Sequence, residues 1–112
     1  VGPGLPLWTP KGTLLRSLLE NYLQQEQIKR GYLPVVTPHI AKVDLFKTSG
    51  HWQKYKEDMF PLMAEDEEAK ASELGFVMKP MNCPFHIQIY SSELRSYREL
   101  PMRLAEFGTV YR

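Results

Sequence analysis

Cysteine is nearly missing: Cys83 is the single one in 112 residues, so no disulfide can form within the chain. That usage suits a reducing, cytosolic setting. An excess of charge is missing too, since 14 basic and 13 acidic residues leave a net charge of +1. A balance so even gives no broad attraction for nucleic acid or an anionic membrane, and any such partner is recognised locally. No apolar run approaches the ~20 residues that cross a bilayer, and the opening lacks the basic-then-apolar order of a signal peptide. The expectation is a soluble, cytoplasmic protein. A phosphate loop is excluded, because Lys11 and Gly12 lack the other glycines and the hydroxyl residue at the required spacing. The opening VGPGLPLW has no initiating methionine and TVYR stops within a strand-like run, so a piece of a longer chain, truncated at both ends, is expected.

What is present is enough apolar material, 43% of residues with 12% aromatic, for one compact core over 1–112. Gly2, Pro3, Gly4 and Pro6 mark a lead-in loop. From Pro10, Leu14, Leu15, Leu18, Leu19, Tyr22 and Leu23 recur at three- and four-residue spacing. That is one face of a helix, capped by Thr9 and Pro10 and closed by Lys29, Arg30 and Gly31. YLPVVTP (32–38) reads as a short edge strand ending at Pro38. A short helix follows over 42–49, closed by Gly50. HWQKYKEDMF (51–60) is expected to run into a strand, with EDEEAK (65–70) as an exposed turn between strands near 59–63 and 73–78. Asn82 is expected to cap a helix starting at Cys83 and Pro84, with Ile87, Tyr90 and Leu94 on one face and an end before Pro101. A last strand is read over about 102–112. The pattern lacks regular βαβ alternation, so the expected class is α+β, an antiparallel sheet flanked by helices.

The residues alone leave the chemistry open. A lone cysteine is most often a small buried side chain. In the first turn of a helix, though, its thiolate, the form that binds metals, is favoured. Cys83 with His86 at i+3 is a weak metal signal, since zinc takes three or four protein ligands. Adding His39 or His51 is arithmetically possible and nothing in the spacing demands it. A nucleophilic Cys83 ranks lowest, because His86 on the same helix is poorly placed as its base. Trp8, Trp52, Tyr55 and Phe60 read as packing, although Trp52 beside His51 and Lys54 would also suit the wall of a polar cleft. Arg112 ends an apparent strand, where it is either a solvated charge or a two-pronged phosphate ligand.

Several stretches taken in order carry more: GPGLPLWTPKG (2–12), KRGYLPVVTP (29–38), SGHWQKYKEDMF (49–60), KPMNCP (79–84) and EFGTVYR (106–112). Together they resemble the catalytic core of the threonyl-tRNA synthetase family of class II aminoacyl-tRNA synthetases, from motif 1 into motif 2. S-G-H-W, M-N-C-P and the W-x-P-K-G lead-in set the pattern apart from the prolyl and seryl enzymes. The resemblance implies a threonine-tRNA ligase that forms threonyl-adenylate from threonine and ATP with magnesium, then passes threonine to its tRNA. It implies a homodimer through the motif 1 helix, with Pro38 at the dimer interface. It makes Met81 part of the threonine pocket and Cys83 both a zinc ligand and a substrate-site residue. Arg112 becomes the catalytic residue that binds the ATP α-phosphate and the substrate carboxylate. The family's two histidine zinc ligands would lie past this stretch, and His86 would not be a ligand. Phe85 stands where many members have glycine. These 112 residues alone are expected to be inactive and to hold zinc weakly. The alternatives are a non-catalytic synthetase-like paralogue serving as a binding or dimerisation module, and a small zinc module built from Cys83, His39, His51 and His86.

Overall fold

The computed structural model describes all 112 residues. Its contacts gather in two units where one was expected: Val1–Val35 with Pro101–Phe107, and Val36–Leu100 with Gly108–Arg112.

The first unit is built on helix α1, Pro10–Lys29. The Thr9 side chain accepts the Gly12 N–H, and proline occupies the first helical position, where its missing N–H costs nothing. At the other end Gly31 takes φ +87, so that its N–H reaches the Ile28 carbonyl and the Tyr32 N–H reaches that of Gln27. This paired closure stops the helix where the sequence predicts. None of its residues is buried. Leu14, Leu15, Leu18, Leu19 and Tyr22 are all more than half exposed. Strand β1 (Leu33–Pro34) then pairs with β4 (Leu104–Ala105), Leu33 opposite Leu104. The pairing is parallel, a departure from the all-antiparallel sheet expected, and it joins two-residue strands far apart in the chain. The long final strand read over 102–112 is reduced to these two residues, because only they find a ladder partner.

The second unit holds the core. Strand β2 (Ile40–Lys42) pairs antiparallel with β3 (Phe76–Met78), Ala41 opposite Val77. Helix α2 (Val43–Ser49) and helix α3 (His51–Tyr55) follow β2, and α5 (Cys83–Ser91) follows β3. Val43, Phe46, Trp52, Met59, Val77 and Phe85 make the buried cluster. Phe46 is wholly enclosed and meets the Phe85 ring edge-on with centroids 5.9 Å apart. Its truncation to alanine would cost about 3–5 kcal/mol.

Three expectations are corrected in this unit. HWQKYKEDMF forms α3 and a 3-10 turn over Lys56–Asp58 instead of entering a strand. Gly50, at φ +85, reverses the chain after α2 and starts the new helix, and the segment has no β-branched residue to favour extension. The 59–63 and 73–78 hairpin survives as a single bridge, Met63 with Phe76. Between them EDEEAK contributes helix α4 (Glu67–Ala71), capped by Asp66, whose carboxylate accepts the Ala69 N–H at 2.7 Å. Helix α5 begins at Cys83 as read, but its buried residues are Pro84 and Phe85. Ile87, Tyr90 and Leu94 are exposed, and Leu94 lies past the end of the nine-residue helix.

Candidate functional site

The segments of the second unit meet at Lys79. Its N–H donates to the His39 carbonyl at 3.0 Å, and its own carbonyl accepts the Tyr111 N–H at 2.8 Å. The Tyr111 hydroxyl lies 3.0 Å from His39 Nδ1, and the two rings stand edge to face. The chain end is thereby laid along 79–81, which brings Arg112 to the segment carrying Met81.

A cavity of about 420 Å³ opens there, lined by His51, Tyr55, Asp58, Met59, Pro80, Met81 and Arg112. Two of the residues singled out from sequence, Met81 and Arg112, therefore share one hollow. Buried Pro80 and Met59 form its apolar part. A guanidinium, a carboxylate and an imidazole supply opposite charges and a proton-carrying group around a small apolar floor. Such a set suits a small zwitterion or a phosphate ester.

His51 is held at both ring nitrogens. Ser49 Oγ donates to the Phe46 carbonyl at 3.2 Å and lies 2.7 Å from His51 Nδ1. Nε2 stands 3.1 Å from Met81 Sδ. The Phe46 and Tyr55 rings flank the imidazole. Sequence reasoning weighed His51 as part of the wall of a possible cleft or as one ligand of a small zinc module, missed Asp58 and gave Tyr55 to packing. The signal was available in the i, i+4 spacing of His51 and Tyr55, which puts both on one side of a short helix.

Cys83 stands at the first position of α5 and is exposed. The packing role usual for a lone cysteine does not apply to it. Nor do its possible partners gather round it: no three His, Cys, Asp or Glu side chains form a set that would hold a metal ion. The four-residue zinc module of Cys83, His39, His51 and His86 is thus not formed. One thiol does not make a zinc site, so the residues present do not by themselves fit a bound zinc.

Asn82 precedes α5 as expected but makes no side-chain cap. Its backbone already has helical angles, φ −88 and ψ −17, and its amide packs on Gly108, where an added Cβ would lie 2.3 Å from Nδ2. Pro38 is exposed beside the buried Thr37. In the first unit, Trp8, Phe107 and the Leu15, Leu19 and Leu23 side chains of α1 line a second, almost wholly apolar hollow of about 420 Å³.

Comparison with known proteins follows this geometry. The family model of the tRNA synthetase class II core domain (G, H, P, S and T) matches residues 64–112. The threonine–tRNA ligase of Thermosynechococcus vestitus is 85% identical over all 112 residues, which span 18% of its length. That of a Synechocystis species is 81% identical over the same stretch, 19% of its length. A crystal structure of the RNA binding domain of threonyl-tRNA synthetase from Cryptosporidium parvum superposes with a TM-score of 0.84 at 41% identity, over 98% of this chain and 26% of that one. The chain spans about a fifth of the length of the curated relatives it matches.

Proposed function

We propose that this chain is part of a threonine–tRNA ligase, a class II tRNA synthetase, and that the protein carrying it activates threonine with ATP and magnesium and charges threonine tRNA; its 85% identity to one such ligase over all 112 residues supports the reading. The carrying observation is that Met81 and Arg112, remote in sequence, line one cavity. Arg112 is the catalytic residue: its guanidinium binds the ATP α-phosphate and the threonine carboxylate, and it offsets the negative charge that grows as carboxylate oxygen attacks phosphorus. Pyrophosphate leaves, and threonyl-adenylate stays for transfer to the tRNA. This is charge stabilisation by a fixed group, the kind of contribution whose removal costs ~10²–10³ in rate. Met81, braced on His51, forms the wall against the threonine side chain.

Cys83 is one donor of a zinc site completed by residues outside these 112. Zinc, when bound, supplies a position that prefers an oxygen ligand, and valine, nearly the same shape as threonine, has no oxygen to offer. The exposure of Cys83 supports this reading, since a ligand must reach its metal. The uncovered face of α1 forms a homodimer interface, which the run of half-exposed leucines supports, and Pro38, exposed in its own unit, is assigned a dimer contact as well. The protein works in the cytoplasm.

The test is threonine-dependent ATP–pyrophosphate exchange by the full-length protein, with valine as control. Exchange is expected with threonine, to fall ~10²–10³-fold in Arg112→Ala and to be lost in Cys83→Ala. No exchange in the unaltered protein would favour a non-catalytic paralogue, and exchange indifferent to Cys83 would remove the zinc reading.

A further inference from the structure

A lysine is the least expected residue at the centre of this unit. Lys79 is 1% exposed, more deeply enclosed than Trp52 or Phe85. Its ammonium donates to Thr37 Oγ1 at 3.0 Å and stands 5.6 Å from the centre of the Phe85 ring. Thr37 is itself buried. Taking an ammonium out of water is costly, and an apolar side chain of like volume would fill the same space without that cost. Stability therefore does not explain the choice. What an ammonium adds is direction, because it must keep its polar partners, Thr37 among them, while a methionine could settle in several ways.

That direction matters through the main chain. The residue whose side chain is tied to Thr37 is the one whose N–H holds His39 and whose carbonyl holds Tyr111. Met81 follows it by two positions, and Arg112 follows Tyr111. Both Met81 and Arg112 line the cavity. One residue thus joins, through its main chain and its tied side chain, the segments that carry the two groups to which the substrate-binding and catalytic roles are assigned.

We propose that Lys79 is a positioning residue for adenylate formation: it touches no substrate, and it fixes the main chain that presents Met81 and seats Arg112 in the cavity. The inference rests on the functional reading given above. Displacements of about an ångström at a reacting group reduce rates by up to ~10²-fold, which sets the size of effect to look for.

The experiment uses the full-length protein with Lys79→Met, which keeps length and removes the ammonium, and Thr37→Val, which removes one acceptor of that ammonium at nearly constant shape. Exchange is expressed per titrated active site, so that a fall in folded protein does not count. Lys79→Met is expected to lower kcat per site ~10- to 100-fold, and Thr37→Val about threefold or more in the same direction. The decisive readout is a double-mutant cycle with Arg112→Lys. In that background Lys79→Met should cost less than about twofold further, because the group it places is already altered. Loss confined to the number of titratable sites, with kcat per site unchanged, would overturn the proposal by making Lys79 a structural residue only. So would losses that simply multiply with Arg112→Lys. If Lys79→Met does not fold, a wild-type kcat per site in Thr37→Val overturns it alone. An unaltered protein without threonine-dependent exchange would defeat the functional reading itself, and this inference with it.

Discussion

Glu73 is the one residue other than glycine with positive φ, at +55. It holds that conformation through its carboxylate, which accepts the Trp52 indole N–H at 2.8 Å and pairs with Lys56 at 3.2 Å and Lys47 at 3.5 Å. The Trp52 hydrogen bond first, then Lys56, keep its carboxyl below the ordinary value of 4.5. A carboxyl depressed on folding stabilises the fold above its unfolded value and loses that effect as the pH falls through its folded one. Glu73→Gln is therefore expected to lower the melting temperature at pH 7 and to converge on the unaltered protein as the pH drops well below 4.5. Parallel thermal melts across that range check it, and curves that stay apart in acid would count against the ion pairs as the cause. At Gly108 the constraint is space. An alanine Cβ would collide with the Asn82 amide at 2.3 Å, so Gly108→Ala should destabilise by about 1–3 kcal/mol. Pairing it with Asn82→Ala should recover part of that loss in denaturant titration, whereas full additivity would mean the two do not touch.

At the scale of elements, α1 carries the clearest expectation. Its leucines are exposed, so Leu18→Glu should leave its helicity intact, since helix propensity barely changes between the two residues. In the full-length protein the same substitution should convert a dimer to a monomer in analytical ultracentrifugation. A dimer that persists would place the interface elsewhere. This helix was legible because a twenty-residue period with Thr9, Pro10 and Gly31 at its ends states its own limits. α2 was legible for the same reason through Gly50. The short elements were not. A two-residue parallel pair such as β1 with β4 has no sequence period, and its existence depends on a partner some seventy positions away. The acidic run containing α4 looked like a turn because its charge was read before its cap, although Asp66 ahead of two glutamates is a helix-start signal. For the cavity, Met81 was legible only through the resemblance of whole segments, whereas Arg112 also stood out by itself as a possible phosphate ligand. His51 and Tyr55 reach it because α3 is helical, and Asp58 because a 3-10 turn follows; reading that segment as leading into a strand hid this.

For the molecule as a whole, the two units make different demands. The second has an aromatic core of its own, whereas the first leaves its longest helix uncovered. The 112 residues produced alone are expected to show no threonine-dependent exchange and less than stoichiometric zinc by metal analysis, since they bring a single thiol. They should also self-associate as concentration rises, which light scattering would detect. A monodisperse, zinc-loaded chain would contradict both expectations. The bond from Tyr111 to His39 closes a span of 72 positions, and it is among the contacts that bring Arg112 to the cavity. Synthesis proceeds from the other end at about 5–20 residues per second. A nascent chain that has already emerged through Met81 therefore owns most of its core and one wall of the cavity, and the Arg112 guanidinium joins that wall only after the following residues have been made. The apolar floor of the cavity is thus made before the cation that joins it.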